Sequence, residues 1–141
     1  MTKITFTNGT TPALNATNLN QMQTNIENAI ASSDKMLNYT TTEQIVGKWI
    51  NGSNLYRKVI SFGALPNNTT KSVAHNIQNL KRIVKLEGFA GSNQNLGGIT
   101  LPHATSSPVA LYANDANVTV LTTNNKSDYT ETYIYVYYLK N

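Results

Sequence analysis

The side chains able to move a proton are few. The carboxylates are Glu27, Asp34, Glu43, Glu87, Asp115, Asp128 and Glu131, and the histidines are His75 and His103. Glycoside hydrolysis needs two carboxylates held about 5–10 Å apart across the scissile bond, and no spacing in this chain selects such a pair. Glu27 and Asp34 fall on a helix and the segment after it, while Glu87 and Glu131 take outward strand positions. His75 ends a strand beside Asn76, and His103 follows Pro102 in a loop. Zinc asks for three or four ligands, which two distant histidines in a chain without cysteine do not supply. Both read as structural or surface histidines. The lack of cysteine also excludes disulfides, thiol catalysis and iron–sulfur ligation. No phosphate-binding glycine loop or Gly-x-Ser-x-Gly elbow occurs, and Gly97-Gly98, between Leu96 and Ile99, reads as a bulge or turn. The expectation is a protein that is not an enzyme, with no catalytic residues, metal or cofactor.

Binding chemistry is better represented. Trp49, Tyr56, Tyr112 and Tyr129 stand near predicted turns, next to Asn54, Asn114, Asp115 and Asp128. A ring covers the C–H face of a sugar while neighbouring amides and carboxylates take its hydroxyls. Trp49, Tyr56, Tyr112, Asn114 and Asp115 are therefore candidate ligand contacts. The competing reading makes Trp49 and Tyr56 a hairpin packing pair. The net charge of +4 points elsewhere than nucleic acid. Basic residues run from Lys3 to Lys140 and cluster only at Lys81, Arg82 and Lys85, whereas nucleic-acid sites concentrate cations and interleave aromatics. A mildly basic solvated surface is the reading.

These residues need a frame. The 141 residues fit one domain of ordinary size. Asn and Thr are the commonest types and charged residues are only 13%, which favours strands and polar surfaces. Residues 1–14 read as a short strand or extended docking arm, with Ile4 and Phe6 alternating against Thr5 and Thr7. Residues 16–31 read as the one helix, N-capped by Asn15. Leu19, Met22, Ile26, Ala29 and Ile30 share one face of its 3.6-residue period. A helix this short is marginal alone, so the stripe packs either on the chain's own β region or in a parallel bundle of copies. Leu19, Met22, Ile26 and Ile30 are the candidate oligomer contacts. Residues 32–42 read as a linker.

From Glu43 onward, strands are expected at 44–50, 55–62, 70–76, 81–90, 97–101, 109–113, 117–123 and 129–140. Turns fall at Asn51-Gly52, Pro66-Asn67-Asn68, Asn114-Asp115 and Asn124-Asn125. The fold class is mainly β: an antiparallel, jelly-roll-like β-sandwich over 43–141, preceded by an N-terminal arm, helix and linker over 1–42. Val84, Leu86 and Gly88 share a face opposite Lys85 and Glu87. In the last strand Ile134, Val136 and Tyr138 share one face, and Tyr133, Tyr135, Tyr137 and Leu139 the other. Both faces are apolar, so this strand should be covered on both sides.

No run of 18 apolar residues occurs, so no membrane insertion is expected. Met1–Asn8 has no apolar core of signal-peptide length, and synthesis in a cytoplasm is expected.

Three stretches carry a resemblance. They are Thr11–Asn20 leading into the Ile/Ala helix, Gln44–Gly52 followed by Leu55–Ile60, and Thr70–His75 followed by Leu80–Val84 with a closing Tyr/Thr-rich strand. The sequence resembles bacteriophage tail-tip, tail-fibre and baseplate proteins of phages infecting Gram-positive bacteria, receptor-binding proteins among them. The resemblance implies a virion protein located in the tail, with other tail proteins as partners and association in threes. It implies a possible share in adhesion to cell-wall saccharide through a β-sandwich like that of lactococcal-phage receptor-binding proteins. It transfers no site residue. The alternative is a purely structural virion protein, or a phage-encoded accessory protein without a receptor-binding role.

Overall fold

The computed structural model describes residues 16–92 and 95–141. The expected N-terminal strand or arm and the Asn15 cap lie outside them. The chain divides into two units, Met1–Asn38 and Tyr39–Asn141.

The described part of the first unit is α1, Ala16–Leu37. It runs six residues past the expected end at residue 31. Polar side chains that usually favour linkers are here satisfied along the helix itself. The Ser32 hydroxyl donates to the Asn28 carbonyl at 2.8 Å, and the Thr24 hydroxyl to the Asn20 carbonyl at 2.9 Å. The Gln23 amide donates to Glu27 at 2.8 Å one turn on. Leu19, Met22, Ile26 and Ile30 form an exposed stripe. Among the described residues no helix is long and apolar enough to cross a membrane.

The second unit is an antiparallel β-sandwich. Its strands are β1 Gln44–Lys48, β2 Asn54–Ser61, β3 Thr70–Ala74, β4 Leu80–Ser92, β5 Asn95–Leu101, β6 Val109–Ala113, β7 Asn117–Thr122 and β8 Glu131–Lys140. One sheet has the order β1-β2-β8-β4-β5 and the other β3-β7-β6. All eight expected strands form, and the helix precedes them as expected.

The core lies between the sheets. Ile134, Val136 and Tyr138 of β8 face Val118 and Val120 of β7, with Ile60, Phe62, Leu65, Ile77, Ala90, Leu101 and Val109 completing the cluster. β8 occupies the centre of the larger sheet because its alternate Ile, Val and Tyr side chains tolerate burial and suit an extended backbone. The Tyr138 ring is fully buried, and its hydroxyl escapes to donate to Glu43 at 2.6 Å. Two cations that charge counting assigns to the solvated surface instead tie loops to strands. Lys58 donates to the carbonyls of His75 and Asn76, and Lys71 to those of Phe62 and Ala64.

The turn after β1 is a three-residue loop. The Gly52 N–H donates to the Trp49 carbonyl at 2.8 Å, and Gly52 alone takes a positive φ of 81°. This is a type I turn closed by a left-handed residue, so Asn51 keeps a negative φ. The register of β4 slips between Leu80 and Arg82 and again between Ile83 and Lys85. Val84 is therefore an inserted residue. Ile83, and not Val84, points inward with Leu86 and Gly88, which corrects the expected face for Val84. Gly97-Gly98 lies inside β5 beside a third slip, between Gly91 and Ser92.

Candidate functional site

The outward face of the five-stranded sheet is aromatic along its middle. β8 presents Tyr133, Tyr135 and Tyr137. Across β2 they stand opposite Ser61, Val59 and Arg57, and across β4 opposite Phe89, Glu87 and Lys85. A strand alternates its side chains, so the three tyrosines are inevitably on one side once Ile134 and Val136 are in the core. On β5 Phe89 pairs with Thr100, and its ring reaches diagonally over Gly98, which itself pairs with Gly91. A Cβ at Gly98 would come within 2.3 Å of the Phe89 ring and 2.6 Å of the Ala90 carbonyl.

The segment expected to be the end of a linker completes this face. The chain ahead of β1 runs on along β2, where the Val59 N–H donates to the Thr40 carbonyl at 3.0 Å. Tyr39 thereby lands on Tyr135, with ring centroids 5.0 Å apart and planes at 53°. The Arg57 guanidinium sits 4.2 Å from the centre of the Tyr39 ring. The second unit thus begins at Tyr39, four residues before the expected boundary at 43.

Together Tyr39, Thr40, Thr41, Val59, Tyr133 and Tyr135 line a cleft of about 260 Å³. Val59 and Tyr135 form its floor, and Tyr39 and Tyr133 stand up on either side, 61% and 41% exposed. The lining is apolar carbon rimmed by hydroxyls. Burial pushes the pKa of the Tyr135 hydroxyl up, and the neighbouring Tyr39 adds to it. Burial also pushes Tyr137 up, against a hydrogen bond from Arg57 that acts the other way. Tyr135 is therefore a neutral hydroxyl, able to donate and to accept, over any ordinary pH. Lys85 pairs with Glu87 at 2.9 Å beside the cleft and lies 5.0 Å from the Tyr137 ring.

The five expected ligand contacts are distributed over two sheets. Trp49 is half-buried at the end of β1. Tyr56 on β2 is engaged in packing: it stacks on Tyr138 at 5.7 Å and 19°, under the Lys140 ammonium at 5.4 Å. Tyr112 is exposed on the outer face of β6, opposite Thr119. Asn114 shapes the β6–β7 turn, its side-chain oxygen accepting from the N–H groups of Ala116 and Asn117 at 2.9 and 2.7 Å. Asn114 and Asp115 line a second cleft of about 320 Å³ with Leu80, Lys81, Arg82 and Ile83. Asp128 and Tyr129 line a third of about 370 Å³ with Ser92, Gly97 and Gly98. The tyrosine cleft was signalled by the two-residue repeat Tyr133-x-Tyr135-x-Tyr137. What sequence reasoning missed was Tyr39, whose role depends on a pairing across some twenty residues of intervening chain with Val59.

The histidines are apart. His75 is 1% exposed, its Nδ1 accepting from the Ile77 N–H at 3.1 Å and its Nε2 lying 3.3 Å from the Asn114 carbonyl, which it serves as donor. It is a structural histidine that joins the end of β3 to the β6–β7 turn. Among the described residues no three His, Asp or Glu side chains gather as a metal site.

Compared with protein-family models, curated protein sequences and solved structures, the chain matches none.

Proposed function

We propose that this protein is a non-enzymatic component of a bacteriophage tail, at the tip, baseplate or fibre, that contributes to recognition of saccharide on the host surface. The observation that carries the reading is the tyrosine cleft on the outer sheet face. Two exposed rings flank a floor too small for a folded partner, and tyrosine and threonine hydroxyls rim it. Such a site offers stacking for C–H faces and hydrogen bonds for hydroxyls. The resemblance to tail proteins of phages of Gram-positive bacteria supplies the setting, and other tail proteins are the partners.

Self-association belongs to the same reading. Leu19, Met22, Ile26 and Ile30 follow one another at helical spacing on α1 and are exposed, Ile26 by 58%. A parallel bundle of three copies buries such a stripe. Three weak saccharide sites on one body then gain apparent affinity by effective concentration.

A purely structural role in the virion is the second reading. The exposed Phe89 next to Tyr133 favours it, because contiguous apolar surface also serves protein contacts. Negative-stain immunolabelling of purified particles of the encoding phage tests the setting. Label at the tail tip is the expected result, and unlabelled particles would overturn it. Retention on host cell walls then separates adhesion from a structural role.

A further inference from the structure

We propose that the tyrosine cleft takes a single uncharged pyranose ring, and that Arg57 is the positioning residue that makes it a site by holding Tyr39. This rests on the saccharide reading above and specifies the class of ligand.

The case begins with what lines the cleft. Tyr39, Thr40, Thr41, Val59, Tyr133 and Tyr135 contribute no formal charge. The charges nearby are already committed. Lys85 and Glu87 pair with each other at 2.9 Å, and Arg57 is 4% exposed beneath Tyr39. An anionic unit entering the cleft would lose water and find as its nearest cation Lys85, already paired with the Glu87 carboxylate that would repel the ligand, which is costly. A neutral ring loses only the hydration of its C–H face and keeps its hydroxyls near the threonine and tyrosine oxygens. The volume, about 260 Å³, lies below the range of drug-sized pockets and suits one ring.

Tyr39 is the unusual element. It is 61% exposed yet fixed from below by two partners, the guanidinium at 4.2 Å and the Tyr135 ring at 5.0 Å. A large aromatic residue left in solvent ordinarily samples several rotamers. Clamping it there removes, before any ligand arrives, the ordering that binding would otherwise require. Arg57 suits the task better than lysine because its flat guanidinium stacks on a ring.

The test is a titration of the full-length protein, followed by ring resonances of its tyrosines. The probes are the methyl glycosides of glucose, galactose, rhamnose and N-acetylglucosamine, with glycerol phosphate as the anionic probe, at low and at high salt. Saturable shifts of Tyr39 and Tyr135 with at least one glycoside, unchanged by salt, are expected. Tyr39→Ala, at an exposed position outside the strands, should weaken that binding about tenfold. Arg57→Lys should weaken it several-fold, with the Tyr39 resonances moved toward those of a mobile ring. A purely structural Arg57 would instead leave Tyr39 in place. Should Arg57→Lys fail to fold, the Tyr39→Ala titration still decides the ligand class. Binding of glycerol phosphate alone, binding indifferent to Tyr39→Ala, or no response to any glycoside would overturn the proposal. Wall adhesion that persists in Tyr39→Ala overturns this cleft's role but leaves the adhesion reading standing. Glycoside binding without wall adhesion does the reverse.

Discussion

Glu43 shows how a single side chain ties the ends of the sandwich together. It accepts from the Tyr138 hydroxyl at 2.6 Å and from the Lys140 ammonium at 2.9 Å. Burial pushes its carboxyl pKa up, but these two hydrogen bonds and the charges of Lys140 and Lys58 outweigh that and hold it below its ordinary 4.5. A lowered carboxylate pKa adds stability that is complete above about pH 4.5 and is lost as pH falls through the folded-state value. Thermal melts from neutral to acid pH should therefore fall more steeply for the wild type than for Glu43→Gln, and parallel curves would contradict this. Burial, and after it the same carboxylate, push the Tyr138 hydroxyl strongly up, so it remains a donor throughout. His75 is the second residue with a definite expected cost. Its two ring nitrogens serve Ile77 and Asn114 inside the protein. His75→Ala leaves a buried N–H unpaired and opens a cavity, so denaturant unfolding should show a loss of about 2–4 kcal/mol. A loss below about 0.5 kcal/mol would mean that the site is wet and its bonds replaced by water.

Among the elements, β4 and β5 set the sharpest tests. Val136 is fully buried at the centre of β8, whereas Val84 is the inserted residue of a bulge. Val136→Ala should cost about 1–3 kcal/mol and Val84→Ala less than about 1 kcal/mol. Equal costs would restore simple alternation along β4. Gly98→Ala should destabilise, since the new methyl meets backbone at Ala90 as well as the Phe89 ring, while Gly97→Ala meets nothing within 4 Å and should be tolerated. Melting temperatures of the two variants decide this. These contrasts also mark where sequence reading stops. The eight strands were legible because Val, Ile, Thr and Tyr alternate between Asn- and Gly-rich turns. The two faces of β8 were legible because a period of two sorts its side chains, but both are apolar, so which of them meets the second sheet was not. The bulge at Val84 was not, because it is set by the fit of β4 to β8 and leaves no local mark. The length of α1 was missed because Ser32 is usually a linker residue and here bonds back to Asn28. For the site, the tyrosine repeat was visible, but its partner Tyr39 belongs to a segment without periodicity. Trp49, Tyr56 and Asn114 had the right chemistry for a ligand and are half-buried, stacked and turn-bound respectively.

On the scale of the whole molecule, the proposed reading gives each of two exposed apolar surfaces its own role, the α1 stripe in self-association and the outer face of β8 in ligand contact. The inner face of β8 is covered by the second sheet, and Tyr39 covers the outer face only in part. Sedimentation at micromolar concentration should give about three times the 15.5 kDa chain mass. Ile26→Asp, placing a charge in the stripe, should return the chain mass while leaving the β-sheet circular dichroism unchanged. A wild type that already sediments as a single chain would rule out multivalent binding. Adhesion through the tyrosine cleft is tested by co-sedimentation of the full-length protein with purified host cell walls. Wild type should pellet with the walls and Tyr39→Ala, at the same oligomeric state, should stay largely in the supernatant. Equal pelleting of the two, or none of either, would contradict it.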